Sequence, residues 1–101
     1  MAITGEVQAD GKTIKITTGL RFDFNSHREF RDAYEKSPAR LTQYIIDMRA
    51  TEYMDSAALG MLLVLREHAG GDEAKISLSN VGAELRAIFK TSNIDRLFRF
   101  E

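Results

Sequence analysis

The chain has 101 residues, of which 44% are hydrophobic and 29% are charged, and this composition is typical of one ordinary globular domain. Its 14 basic and 15 acidic residues are mixed along the chain and give a net charge of −1, so no basic stripe is available for nucleic acid. The absence of cysteine excludes disulfides, thiolate nucleophiles and cysteine-based zinc sites, and it fits a reducing compartment.

The N-terminal stretch "MAITGEVQADGK" does not have the pattern of a targeting segment. It lacks a basic region followed by a continuous apolar core, and no apolar run in the chain reaches the roughly 20 residues that span a membrane. We therefore expect a cytoplasmic protein without direct membrane insertion, with residues 1–101 forming one domain.

A turn signal at Asp10 and Gly11 precedes the alternating run "TIKIT", in which Ile14 and Ile16 share one face. This pattern predicts a hairpin of two strands. The letters "DGKT" also resemble a phosphate-binding loop, but that motif needs a glycine where Glu6 stands and a helix after the lysine. A hairpin turn is therefore favoured over a nucleotide site.

The stretch "SHREFRDAYEKSP" predicts an amphipathic helix. Ser26 is its expected N-cap, and the apolar side chains at helical spacing are Phe30, Ala33 and Tyr34. The helix is expected to stop near Pro38, the only proline in the chain.

The rest of the chain predicts strands that alternate with helices. "QYIIDM" is typical of a buried strand, and the apolar segment from Ala57 to about Ala69 predicts a helix that ends at Gly70 and Gly71. "AKISLSN" predicts a strand, "VGAELRAIFKTSN" a helix, and "IDRLFRF" a short terminal element. The predicted class is α/β, a small mixed sheet packed with helices in the order β-β-α-β-α-β-α. Residues 44–79 should form a right-handed crossover between parallel strands.

The two histidines do not support catalysis. His68 lies 12 residues beyond Ser56 on one predicted helix, hence about 18 Å away, so it cannot act as a base for that hydroxyl. His27 is a single histidine at an acid-rich helix start, which is more typical of a solvated side chain than of a general base. No cluster has metal-ligand spacing, so we expect no enzyme, no cofactor and no metal.

Asp55 and Ser56 stand where the predicted buried strand gives way to a helix. A serine at such a place usually caps the helix by accepting a hydrogen bond from a backbone N–H of the first turn. The same N–H groups and the positive end of the helix dipole would also stabilise a phosphate on Ser56. Position alone favours the cap and leaves a phosphorylation site open.

The run "AALGMLLVL" from Ala57 to Leu65 contains no polar residue over two helical turns. The favoured explanation is a helix buried on all sides, and the alternative is a partly exposed apolar face near Ser56. On such a face a phosphate would bring about −1.5 to −2 charges that a docking partner would have to desolvate. Phosphorylation would then expel the partner.

The stretch "YIIDMRATEYMDSAALGMLL" resembles the signature of STAS domains, the sulfate-transporter and anti-sigma-factor-antagonist family. That signature is a strand ending in Asp, a few residues, and then Asp-Ser-Ser-Gly-Leu-Gly; the matching residues are Asp47, Asp55, Ser56, Leu59 and Gly60. The C-terminal "ISLSNVGAELRAIFKTSNIDRLFRF" is similar to the family's last strand, last helix and ending. The resemblance therefore extends over nearly the whole chain.

In family members that act as anti-sigma-factor antagonists, a partner kinase, often the anti-sigma factor itself, phosphorylates the serine after the aspartate. A PP2C-type phosphatase removes the phosphate, and the unphosphorylated form binds the partner. The resemblance implies a bacterial, cytoplasmic partner-switching regulator of transcription and signal transduction, with Ser56 as its phosphorylation site. The partner surface that it implies consists of Asp23, Asn25, Ser26, Asp55, Ser56, Ala57, Leu59 and Gly60.

The chain departs from the family pattern in two places. Ala57 and Ala58 replace the family's second serine and its glycine, which leaves Ser56 as the only hydroxyl at the site. "GLRFD" carries one residue more between Gly19 and Asp23, so the register of residues 23–26 against the family stays open. An alternative function keeps the fold but makes the chain a constitutive STAS subunit of a larger assembly, such as a lipid transporter, with Ser56 only a helix cap.

Overall fold

The computed structural model describes residues 3–35 and 41–101. Its main feature is a five-stranded mixed sheet in the order β1-β2-β4-β6-β7, and β3 pairs with β5 in a separate two-stranded sheet. The elements are β1 (Thr4–Val7), β2 (Thr13–Thr17), β3 (Arg21–Phe22), α1 (His27–Glu35), β4 (Gln43–Asp47), β5 (Tyr53–Met54), α2 (Ser56–His68), β6 (Ile76–Ser79), α3 (Ala83–Thr91) and β7 (Arg99–Phe100). The predicted α/β class and element order are confirmed. Strands β3 and β5 were not predicted, because two residues are too few to show a period.

The hairpin predicted at the start of the chain is present. β1 and β2 pair antiparallel, and the Asp10 carboxylate accepts hydrogen bonds from the backbone N–H of Lys12 at 2.9 Å and from the N–H and hydroxyl of Thr13 at 2.9 and 2.8 Å. The hydrogen bond from Lys12 and those from Thr13 hold the pKa of Asp10 below its usual value. Gly11 has φ +71°, a conformation that favours glycine. The letters "DGKT" are therefore a turn.

The strands β2, β4, β6 and β7 are parallel to one another, and α2 forms the predicted crossover between β4 and β6. One set of alternating strand side chains packs with the apolar faces of all three helices into one buried core. The strands contribute Ile14, Ile16, Tyr44, Ile46, Ile76 and Leu78, and the helices contribute Phe30, Leu62, Leu65, Leu85 and Phe89 among others. This packing fixes where each helix begins relative to the strand ends.

The expected cap of α1 is wrong. A one-turn 3₁₀ helix precedes α1, and its N-cap is Asp23, whose carboxylate accepts a hydrogen bond from the Asn25 N–H at 3.0 Å. The Ser26 hydroxyl oxygen accepts from the Asp23 N–H at 3.2 Å, which completes a capping box. Because the 3₁₀ turn precedes α1, the backbone N–H groups that lack a partner within the helix lie at the start of that turn. The capping residue is therefore Asp23. The predicted helix end near Pro38 lies outside the described residues.

Helix α2 has the predicted extent, but it is not buried on all sides. One face enters the core through Ala58, Leu59, Met61, Leu62 and Leu65. The other face presents Ser56, Gly60 and Val64 to solvent, and Val64 is 56% exposed. The favoured expectation of full burial is therefore wrong, because no other element among the described residues covers this face. No helix of that part of the chain is long and apolar enough to cross a membrane.

Candidate functional site

The small β3–β5 sheet holds two loops together beside the start of α2. Arg21 lies opposite Tyr53 and Phe22 opposite Met54, and the carbonyl of Leu20 accepts a hydrogen bond from the Tyr53 N–H at 3.1 Å. Phe22 and Met54 are buried, whereas Tyr53 is 44% exposed. The pairing thus anchors one side of each strand in the core and leaves the other side at the surface.

Hydrogen bonds between buried hydroxyl groups also hold the same two loops together. The hydroxyl oxygens of Thr18 and Thr51 are 2.6 Å apart, and the Thr51 hydroxyl donates to the carbonyl of Gly19 at 2.7 Å. Both threonines are buried, where their hydroxyl groups need hydrogen-bond partners. The segments after β2 and β4 are therefore tied to each other by side chains as well as by β3 and β5.

Asp47, at the end of β4, organises the neighbouring strand ends. Its Oδ1 accepts hydrogen bonds from Asn80 Nδ2 at 2.9 Å and from the Arg49 N–H at 3.0 Å, and Lys15 Nζ lies 3.5 Å from its Oδ2. Burial raises the pKa of Asp47, but the hydrogen bonds from Asn80 and Arg49 and the charge of Lys15 outweigh burial, so the pKa lies below its usual value. Asp47 is buried, and its contacts assign it to the support of the site.

The residue that caps α2 is Asp55. Its Oδ1 accepts a hydrogen bond from the Ala58 N–H at 3.0 Å, and its Oδ2 accepts one from the Phe24 N–H at 3.2 Å. The prediction that Ser56 caps the helix is wrong, because α2 begins at Ser56 and the cap is the residue before it. Ser56 is exposed, and its hydroxyl makes no hydrogen bond with residues 3–35 or 41–101.

Ser56 lies within an exposed apolar surface. The large hydrophobic side chains there are Leu20, Phe24, Tyr53 and Val64, which are 56%, 71%, 44% and 56% exposed. We call these four residues, together with Ser56 and Gly60, the Ser56 surface. The Asp55 bond to Phe24 and the β3–β5 pairing bring the loops to the helix start, and Gly60 and Val64 follow Ser56 at four-residue spacing along α2. Exposed apolar side chains on segments that adjoin one another are typical of interaction sites on soluble proteins.

A cation–π contact borders this surface. The Arg21 guanidinium carbon lies 4.3 Å from the centroid of the Tyr53 ring, and Arg21 Nε lies 3.3 Å from Asp23 Oδ2. The guanidinium is thereby held over one face of the ring, and the Asp23 carboxylate faces it. Arg21 thus contacts both the exposed Tyr53 ring and the Asp23 carboxylate.

The structure brings the eight predicted partner-contact residues to the start of α2 and the adjoining 3₁₀ turn. Asn25, Ser56 and Gly60 are exposed, Asp55 and Ala57 are half-buried, and Asp23, Ser26 and Leu59 are buried. The buried three hold the backbone beneath the surface. Sequence reasoning missed Leu20, Phe24 and Tyr53, whereas Val64 lies in the apolar run whose partial exposure was the alternative expectation. Phe24 offered one signal, since it is a large apolar residue among turn-forming residues.

The two histidines lie at the C-terminal end of α2 and at the start of α1. The His68 ring packs against Tyr34 with centroids 4.9 Å apart, at the C-terminal end of α2, and His27 is exposed at the start of α1. Among residues 3–35 and 41–101, no three His, Asp or Glu side chains are grouped as a metal site would require.

Comparison with known proteins gives related sequences over the whole chain. A family model described as "Mlab, STAS domain" matches residues 6–99. A STAS-domain containing protein of Pseudomonas aeruginosa (strain UCBPP-PA14) is 50% identical over 99 residues, which cover 98% of this chain and 98% of that protein. The similarity therefore includes both the Ser56 surface and the sheet that supports it.

Two solved structures share the fold. The anti-sigma factor antagonist SpoIIAA in its unphosphorylated form superposes with a TM-score of 0.82 at 18% identity, covering 99% of this chain and 88% of that one. The Bacillus cell fate determinant SpoIIAA in the phosphorylated form superposes with a TM-score of 0.68 at 17% identity, covering 99% of this chain and 91% of that one. At these identities the likeness concerns the fold.

Proposed function

The chain belongs to the STAS domain family, and we propose that it is a cytoplasmic partner-switching regulator whose residues 1–101 act as one STAS domain. With Ser56 unphosphorylated it binds an anti-sigma factor or another signalling partner, and phosphorylation of Ser56 releases that partner. One observation carries the proposal: the Ser56 hydroxyl is exposed and without a hydrogen bond to the described residues, within an apolar surface.

The position of the cap supports a regulatory role for Ser56. A capping serine would have a structural reason to stand at this position, but Asp55 already accepts the Ala58 N–H. Ser56 can therefore be modified without removing the cap. A phosphate in the first helical turn also lies at the positive end of the helix dipole, which favours negative charge. We expect the fold to survive phosphorylation.

The chemistry of the surface explains why phosphate would release a partner. The modification adds about −1.5 to −2 charges next to the Asp55 carboxylate, among side chains that would otherwise meet apolar groups. A docked partner without compensating cations would have to strip water from these charges. Moving a partner from nearly all bound to nearly all free requires about 5.5 kcal/mol of differential affinity, and desolvation of a phosphate can supply most of it.

In this proposal the chain is a binding module and the acceptor of a phosphoryl group. A partner serine kinase supplies the phosphoryl group, and a PP2C-type phosphatase removes it. The exposure of the Ser56 hydroxyl supports both steps, since each enzyme must reach this oxygen.

The second candidate function is that of a constitutive STAS subunit in a larger assembly, such as a lipid transporter. The apolar Ser56 surface favours it as well, because a permanent interface also needs exposed apolar side chains. This candidate gives no reason for an exposed serine hydroxyl that does not cap the helix. The two candidates differ in whether charge at Ser56 changes binding.

The test is affinity capture from native lysate with three baits, Ser56→Ala, Ser56→Asp and Ala83→Asp. Ala83 is exposed and is the first residue of α3, so Ala83→Asp places the same charge at a matched position away from the Ser56 surface. We expect a protein that Ser56→Ala and Ala83→Asp retain and Ser56→Asp loses, identified by mass spectrometry. Equal recovery by all three baits would contradict the switch and favour the constitutive subunit.

A further inference from the structure

The Asp55 carboxylate joins two separate parts of the Ser56 surface. Its Oδ1 binds the Ala58 N–H at 3.0 Å inside α2, and its Oδ2 binds the Phe24 N–H at 3.2 Å in the 3₁₀ turn. Phe24 is 71% exposed, so burial does not fix its side chain. The hydrogen bond to Asp55 is a direct tie between the 3₁₀ turn that carries Phe24 and the start of α2.

The turn around Phe24 is held independently by its own hydrogen bonds. The Asn25 N–H donates to Asp23 Oδ1 at 3.0 Å, and the Ser26 hydroxyl donates to the carbonyl of Arg21 at 3.2 Å. None of these bonds involves Asp55. Loss of the bond from Phe24 to Asp55 would thus free the Phe24 N–H and untie the turn from α2, while the turn keeps its own hydrogen bonds.

We propose that phosphorylation of Ser56 breaks the hydrogen bond between Asp55 Oδ2 and the Phe24 N–H, and so unties the 3₁₀ turn that carries Phe24 from the start of α2. The phosphate lies one residue from the Asp55 carboxylate, repels it, and competes with it for the N–H groups of the first helical turn. Of the two bonds, the one to Ala58 is shorter and lies within the helix, where the Ala58 N–H also approaches the Asp55 carbonyl at 3.1 Å. The Ala58 N–H thus keeps an acceptor within the helix when the carboxylate moves, whereas the Phe24 N–H has no second acceptor among the described residues, so the bond to Phe24 breaks first.

This inference rests on the proposed function and adds a second effect of the phosphate. Besides adding charge, the phosphate loosens the link between the turn that carries Phe24 and the helix that carries Ser56. An interface that must order this turn against α2 on binding is weaker than one that finds the two already joined, because the lost freedom is subtracted from the binding free energy.

The test measures amide–water exchange by ¹⁵N NMR in the full chain, with and without phosphoserine incorporated at position 56 by genetic code expansion. We expect the Phe24 amide to exchange at least tenfold faster in the phosphorylated chain. The Asn25 amide, held by Asp23, is the internal control and should change less than twofold. An unchanged Phe24 amide would overturn the inference. Equal acceleration of both amides would also overturn it, since the whole turn would then have melted.

A matched variant tests the role of Asp55 Oδ2, the oxygen that accepts the Phe24 N–H. Asp55→Asn retains one side-chain oxygen for the Ala58 N–H, and asparagine is as good a cap as aspartate, but the amide nitrogen cannot accept the Phe24 N–H. We expect this variant to speed Phe24 exchange about tenfold without phosphate and to leave the Ala58 amide protected. Phosphoserine should then add less than twofold. A further large acceleration would show that the phosphate acts elsewhere.

The NMR experiment needs no partner, so its outcome is separate from that of the capture experiment. An unchanged Phe24 amide together with selective capture by Ser56→Ala would overturn this inference and leave the switch standing. Faster Phe24 exchange together with equal capture by all baits would keep the link between Ser56 and Phe24 and overturn the proposed function.

Discussion

Asp55 and Ser56 divide two tasks at the start of α2. Asp55 satisfies the Ala58 N–H and the Phe24 N–H, whereas Ser56 points to solvent. Both residue types are good helix caps, and the sequence gives no way to choose between them without the residue at which the helix begins. The choice matters because it decides which of the two side chains is free to be modified.

At this scale we predict unequal effects of removing the two side chains. Asp55→Ala should lower the free energy of unfolding by about 1–2 kcal/mol, because it removes the cap of α2. Ser56→Ala should change it by less than about 0.5 kcal/mol, as is usual for an exposed side chain without a partner. Urea unfolding followed by circular dichroism measures both. A loss in Ser56→Ala as large as that in Asp55→Ala would show that the serine contributes to capping.

Individual residues of the site were predictable to different degrees. Ser56 and Asp55 stand out in the sequence because two polar residues interrupt two apolar runs and match a family signature. Phe24 stands out less, because its one signal is a large apolar side chain among turn-forming residues, and its place beside Asp55 is set by a contact between residues distant in the chain. Sequence reasoning finds the polar residues at the helix start more readily than the side chains on the adjoining segments.

Helix α2 has a buried face and an exposed face, and apolar residues occur on both. Its buried face completes the core, and its exposed face carries Ser56, Gly60 and Val64. A glycine in the middle of a helix is unfavourable, since it loses more backbone entropy on folding than alanine does. Gly60 stands at such a position, and a Cβ placed on it would have no neighbour within 4 Å among the described residues.

We therefore predict that Gly60→Ala raises the free energy of unfolding by about 0.5–1 kcal/mol. Gly5→Ala is the matched control, because a Cβ on Gly5 would lie 3.0 Å from the Ala33 carbonyl oxygen and would push β1 away from α1. It should lower the free energy of unfolding by about 1–3 kcal/mol. Chemical denaturation of the two variants and the wild type measures these changes in the free energy of unfolding. Destabilisation by Gly60→Ala would mean that the exposed face of α2 is covered in solution.

The molecule as a whole depends on carboxylates that are held ionised. Asp47 joins β4 to the ends of neighbouring strands, and Asp10 closes the hairpin between β1 and β2. The pKa of each lies below the usual value of 3.8 in the folded chain. Because the folded-state pKa is lowered, each group contributes stability that is present above 3.8 and is lost as the pH falls through its folded pKa.

We predict that the free energy of unfolding falls as the pH is lowered below about 4, and that Asp47→Asn flattens part of this fall. At neutral pH Asp47→Asn should lower the free energy of unfolding by about 1–3 kcal/mol, because it removes the ion pair of Oδ2 with Lys15 and the negative charge that strengthens the hydrogen bonds to Oδ1. Urea unfolding between pH 2 and pH 7 gives the profile. Glu52→Gln, which removes an exposed carboxylate, is the control and should leave the slope unchanged. If the pH profile of Asp47→Asn ran parallel to that of the wild type, Asp47 would not contribute to the loss of stability at low pH.

The sequence by itself determined the order of strands and helices, the hairpin at Asp10 and the family. These follow from periodicity and turn chemistry, which act between residues near each other in the chain, and from motif spacing. Only the tertiary structure decided that Asp55 caps α2, that one face of that helix is exposed, and that Leu20, Phe24 and Tyr53 stand on segments that adjoin the start of α2. Exposure and contact depend on which distant segments fold beside a residue, and local pattern carries no record of them.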